Sequence, residues 1–116
     1  MMKKLEKRYR IILGKKIREL RKIRNLQQID LAYKLGYSGT GAISMIESGE
    51  RGMSHDKILD AAELLGVHPC ILMTDKEFST SELRLFTDLT KLLEQSPKSS
   101  YIDTIRMILD AALQKI

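Results

Sequence analysis

The chain has 116 residues, room for one small domain plus an appendage but not for a second full domain. Hydrophobic residues make up 43% of it, with no Trp, two Phe, two Pro and seven Gly, so the core must come mainly from Leu, Ile and Ala; a turn-rich β fold is excluded and an all-α fold expected. The formal charge of +5 is uneven: residues 1–24 hold eleven Lys/Arg against two acidic residues, residues 25–78 four against eight, and residues 79–116 five against five, so an anionic partner should be met at the N-terminal end.

Residues 1–8 read as a basic arm or the start of a first helix. That helix begins between Leu5 and Tyr9 and runs to about Arg24, because Leu13, Ile17 and Leu20 recur at helical spacing while Lys15, Lys16, Arg18 and Lys22 occupy the opposite face. Asn25 closes it. A second helix follows at Gln28–Leu35, with Ile29, Leu31, Ala32 and Leu35 as its expected buried stripe and Gly36 as its stop. A third runs from Thr40 to Ser48 and ends at Gly49. Its Ala42, Ile43 and Ile46 face inward, which turns Thr40, Ser44 and Met45 outward. Ser38 is expected to cap this helix, since Gly39 has no side chain to do so.

Ser54 reads as the cap of a fourth helix with Asp56 in its first turn, Ile58, Leu59, Ala62 and Leu65 on its buried face, and Gly66 as its end. Pro69 opens a short fifth helix whose Ile71, Leu72 and Met73 should pack back on the core. Residues 9–73 thus form a five-helix unit and residues 74–78 a linker. Ser79-Thr80-Ser81-Glu82 has capping-box spacing, and Leu83, Phe86, Leu89, Leu92 and Leu93 follow at steps of three and four. Residues 96–100, with Pro97, break that helix. A last one carries Ile102, Ile105, Leu109, Ala112 and Ile116. Residues 79–116 therefore read as an αα hairpin. Its apolar faces, at Phe86, Leu89, Leu93, Ile102, Ile105, Leu109 and Ile116, are wider than one hairpin can cover, so a homodimer is expected through them.

The lone Cys70 excludes an intramolecular disulfide, and its apolar surroundings predict a buried thiol. His55, His68 and Cys70 lack metal-ligand spacing, so no metal and no cofactor are expected. No Gly-rich phosphate loop, carboxylate pair or Ser/His/Asp constellation marks an enzyme. Without an 18-residue apolar run or a signal-peptide core, the chain is expected in the cytoplasm of a bacterium, as a bacterial or phage product, with no membrane partner.

Two short apolar-periodic segments joined by a Gly-containing turn in a basic chain are the pattern of a DNA-reading helix-turn-helix. The runs Leu13-Gly14-Lys15-Lys16-Ile17-Arg18-Glu19-Leu20-Arg21, Gln28 with Leu31-Ala32, Lys34-Leu35-Gly36, Ile43-Ser44-Met45-Ile46-Glu47-Ser48-Gly49 and Ala61-Ala62-Glu63-Leu64-Leu65-Gly66-Val67 together resemble the phage-repressor (Cro/C1-like, Xre) family. The resemblance covers Leu13 to Met73. It implies a five-helix lambda-repressor-like domain that binds double-stranded DNA, acting as a transcriptional regulator and more particularly a repressor. It places Thr40, Gly41, Ser44 and Met45 at base edges and pairs Arg21 with Glu47 in a structural ion pair. Lys15, Lys16, Arg18, Lys22, Gln28, Ser38 and Arg51 become candidates for the DNA backbone. The stretch from Gly36 to Ile43 is one residue longer than the commonest pattern, and the reading positions lack Arg, Lys, Gln and Asn. Methyl contacts and DNA shape would then carry specificity. An antitoxin, or a protein-only helical adaptor, is the alternative, with a toxin or protein antagonist as the further partner.

Overall fold

The computed structural model describes residues 2–95 together with Asp103, Met107, Asp110 and Ala111. Six helices follow in chain order: α1 (Met2–Ile23), α2 (Gln28–Lys34), α3 (Thr40–Ser48), α4 (His55–Leu65), α5 (Pro69–Met73) and α6 (Thr80–Gln95). The described residues contain no strand, and the fold is all-α. α1 begins earlier than the apolar spacing alone suggests. Its first turns hold straight-chain residues with good helix propensity and no Gly or Pro, so the basic arm is the start of the helix.

Helices α1 to α4 end in the same way. A residue with positive φ follows each: Asn25 after α1, then Gly36, Gly49 and Gly66. Behind α1, Leu26 N–H donates to Arg21 O (2.9 Å) and Asn25 N–H to Lys22 O (3.0 Å), the paired bonds of a Schellman closure. Asn is among the few side-chain-bearing residue types that tolerate this conformation. Starts are equally local: Ser54 Oγ accepts from Lys57 N–H at α4, and Ser79 and Glu82 exchange reciprocal bonds of 3.0 and 3.2 Å at α6.

α1 is the centre of the packing and touches α3, α4, α5 and α6. Leu13, Ile17 and Leu20 on α1 meet Leu31, Ala32 and Leu35, then Ile43 and Ile46, then Ala61, Ala62 and Leu65, in one core. Several expected core positions fall outside it. Ile29 is exposed, because it stands about 200° around α2 from Leu31 and a two-turn helix cannot bury both. Leu59 is exposed while Ala61 takes the inward place on α4. On the single turn of α5 only Leu72 is fully buried; Met73 and Cys70 point outward, so the thiol is exposed rather than buried.

The expected boundary after Met73 is also corrected. Leu83, 1% exposed, belongs to the same core, and Thr87 is buried beside it. Phe86, read from the sequence as a dimer contact, instead packs edge-on against Phe78 at 5.0 Å within the chain. α6 thus covers α1, and the residues before it are not a free linker. Of the hairpin's last helix only Asp103, Met107, Asp110 and Ala111 are described, all helical; Ile102, Ile105, Leu109 and Ile116 lie outside the described residues.

Candidate nucleic-acid interface

α3 is held by its back. Ile43 and Ile46 are completely buried, while Thr40, Gly41, Ser44 and Met45 are all exposed, Met45 at 43%. Ala42 is only half-buried. The helix is capped by the extended Gly39 with no side-chain bond, so Ser38 stays exposed and does not take the capping role expected of it. A Cβ added at Gly39 or Gly41 would meet nothing within 4 Å, which leaves open space over this end of the helix. The outward face is therefore small, uncharged and accessible.

The position of α3 is set by two contacts with α1. At Gly14 the backbones meet: a Cβ there would lie 2.2 Å from Ile46 O and 2.8 Å from Glu47 O. Two turns further along α1, the Arg21 guanidinium grips Glu47 with two bonds, Nε to Oε2 at 2.7 Å and Nη2 to Oε1 at 3.1 Å. The side chains are 11% and 6% exposed, so this bidentate pair lies largely out of water. Arg21 Nη1 also donates to Leu26 O, and Gln28 Nε2 donates to Glu47 Oε1 (3.1 Å). Glu47 is thereby neutralised on a helix otherwise free of charge. Gln28 is drawn into the same network and remains half-exposed at the start of α2.

Lys15, Arg18 and Lys22 form an exposed basic stripe on α1, continued toward the N-terminus by Lys7 and Arg8. Lys15 lies 3.9 Å from Glu77, with both side chains about two-thirds exposed; such a pair contributes little and leaves the lysine available. Lys16 is a correction. It is 1% exposed, donates from Nζ to Thr74 O (2.8 Å) and sits 5.0 Å from the centre of the Phe78 ring, so it cannot reach a phosphate. In the sequence it looks like its neighbour Lys15, but residues 74–78 fold over it.

Burial lowers the Lys16 pKa to about 8, with Asp75 and Glu77 pulling the other way. The folded value lies below the unfolded one, so over the window from about 8 to 10.5 the unfolded chain holds a proton that the folded chain has released. Stability from this group must rise with pH there. Thermal melts across that window should show the wild type gaining on Lys16→Met as pH increases; parallel curves would refute it.

Arg51, on the loop after α3, is exposed and lies 5.3 Å from the centre of the Tyr37 ring. Lys57 of α4 approaches the same ring at 5.1 Å and donates to Leu35 O. Neither Tyr37 nor Lys57 stood out in the sequence, because a turn residue and a residue two elements later share no periodic signal.

The profile of the helix-turn-helix domain family matches residues 14–77, more than half of the chain. That span contains α2, the turn, α3 and, in Ile17 and Leu20, most of the buried face of α1 described above. The chain belongs to the helix-turn-helix domain family, which defines it as a DNA-binding regulator. No curated protein and no solved structure matches it. Among the described residues no helix is long and apolar enough to cross a membrane, and no group of three or more His, Cys, Asp or Glu could hold a metal ion.

Proposed function

We propose that this protein is a sequence-specific transcriptional repressor that places α3 in the major groove and binds a two-fold operator as a dimer. The observation that carries this reading is the outward face of α3: Thr40, Gly41, Ser44 and Met45 stand exposed while the rest of the helix is locked to α1 by Gly14 and the Arg21–Glu47 pair. A rigidly held short helix with small residues in front can approach base edges closely. Thymine methyl groups suit Thr40 and Met45, and DNA deformability would supply the remaining discrimination. Lys15, Arg18, Lys22 and Arg51, with Lys7 and Arg8, carry the charge for phosphate contacts; Gln28 and Ser38 are neutral candidates for the same role.

Binding to DNA flanking its own gene should weaken steeply with salt, each engaged cation contributing close to −0.9 to the log–log slope. Deleting residues 1–8 should flatten the slope, since Lys7 and Arg8 go with them. A slope unchanged by that deletion would free this segment of any DNA role, and no salt-dependent shift by the intact protein would remove the DNA reading itself.

One copy of α3 spans few base pairs, so useful specificity needs two copies on half-sites about 34–36 Å apart. Leu85, exposed on α6, and the half-buried Leu89 and Leu93 offer apolar surface for the dimer, with the segment after α6 completing it. A chain ending after residue 95 keeps Leu83 and Thr87 in place and should fold. Light scattering should find it monomeric, with most operator affinity lost. Equal mass and equal footprints for the short and full chains would place the dimer contact elsewhere. Removal of everything after Phe78 should, by contrast, destabilise the protein, because it strips Leu83 from the core.

A further inference from the structure

Tyr37, Arg51 and Lys57 come from three different elements, the α2–α3 turn, the α3–α4 loop and the first turn of α4, yet they meet at one place. The two cations lie 5.3 and 5.1 Å from the centre of one ring, so their separation is no more than about a Debye length, ~10 Å at 0.1 M salt. Like charges gathered this closely repel. Among the described residues neither has a carboxylate within ion-pair distance, since the ion pairs found there are Lys15–Glu77 and Arg21–Glu47. The cation–π contacts hold the pair together without neutralising it.

The surroundings fix the cluster in position. Tyr37 packs against the core and its N–H donates to Ala32 O (2.9 Å). Arg51 N–H donates to Met45 O (3.2 Å), which ties the loop to the outward-facing turn of α3. Lys57 reaches back to the carbonyl at the end of α2 through Leu35 O. A concentrated, uncompensated positive charge is thus anchored on the turn and the loop that flank α3, the helix proposed to read bases.

We propose that Tyr37, Arg51 and Lys57 together form a single phosphate-binding clamp that engages the DNA backbone next to α3. The inference rests on the DNA-binding reading and adds to it two residues and a mechanism. The ring orients the Arg51 guanidinium, whose planar donors suit a phosphate, and the lysine ammonium supplies the second charge. The phenol hydroxyl, which makes no hydrogen bond to the described residues, is a third donor. A helix lacking long polar side chains gains register from such a contact without gaining sequence information.

Salt titrations of duplex binding by the full chain test the clamp. Arg51→Gln and Lys57→Gln should each reduce the magnitude of the log–log slope by about 0.9 when fully engaged. Tyr37→Leu should lower affinity in the wild-type background but add little in the Arg51→Gln background, while Tyr37→Phe, which keeps the ring, should retain the slope. Melting temperatures measured alongside separate this from a structural role. If wild type binds DNA and the variants lose only stability, with slopes unchanged and the Tyr37→Leu and Arg51→Gln effects additive, the clamp is wrong while DNA binding stands. If wild type itself shows no salt-dependent binding, the DNA reading fails and takes the clamp with it.

Discussion

Gly14→Ala is expected to destabilise the protein by about 2 kcal/mol or more, although it replaces the poorer helix former with the best one. Helix propensity alone would favour Ala by about 1 kcal/mol in the middle of α1. Against that, the new methyl carbon would sit 2.2 Å from Ile46 O and 2.8 Å from Glu47 O, and both are backbone atoms that cannot rotate away. Overpacking a core usually costs about 1–3 kcal/mol, and contact with backbone belongs at or above the upper end. The only relief is to push α3 off α1, which would also strain the Arg21–Glu47 bonds. Urea denaturation should show a lower midpoint with an unchanged slope, and DNA affinity should fall with it. A variant as stable as wild type would mean that α1 and α3 do not approach at Gly14.

Glu47→Ala should lower stability by about 3 kcal/mol, toward the low end of what breaking a buried ion pair costs, because a small part of each side chain still meets water. The loss leaves Arg21 with only its bond to Leu26 O and deprives Gln28 Nε2 of its acceptor. A simple charge argument predicts the opposite, that removing an acidic residue near DNA improves binding. The double variant Arg21→Met/Glu47→Leu separates the two views, since replacing both members of a buried pair by apolar groups is often close to neutral. Restored stability in the double variant with loss in the single one would establish the pair as structural. A Glu47→Ala protein that melts like wild type and binds DNA more tightly would place Glu47 against the duplex instead.

The parts of this fold that could be read in the sequence are those with local causes. Gly36, Gly49 and Gly66 stop helices because each takes a positive φ, and Ser54 and the Ser79–Glu82 pair start them through bonds spanning three residues. The outward face of α3 follows from the place of Ile43 and Ile46 on a helical wheel. Long-range facts were not readable in this way. Lys15 and Lys16 are equivalent in the sequence, and only the passage of Thr74 and Phe78 over one of them distinguishes the two. Phe86 carries the same periodic signal whether it faces a partner chain or, as here, Phe78. The pairing of Arg21 with Glu47, 26 residues apart, came from a family resemblance and not from spacing; the meeting of Tyr37, Arg51 and Lys57 had no sequence signal at all.

α1 also has a mechanical consequence. Its 22 residues make a rod about 33 Å long, and both α3 and α6 are seated on it. In a dimer joined through α6, the span between the two copies of α3 is then measured out by packed helices and not by flexible tethers. Such a ruler tolerates little error. Adding one base pair between half-sites would displace and rotate one of them relative to the other, and the protein would have to unseat a helix or bend the DNA to follow. Operator spacing should therefore be far less forgiving than operator sequence, the reverse of what the plain, short side chains on α3 would suggest.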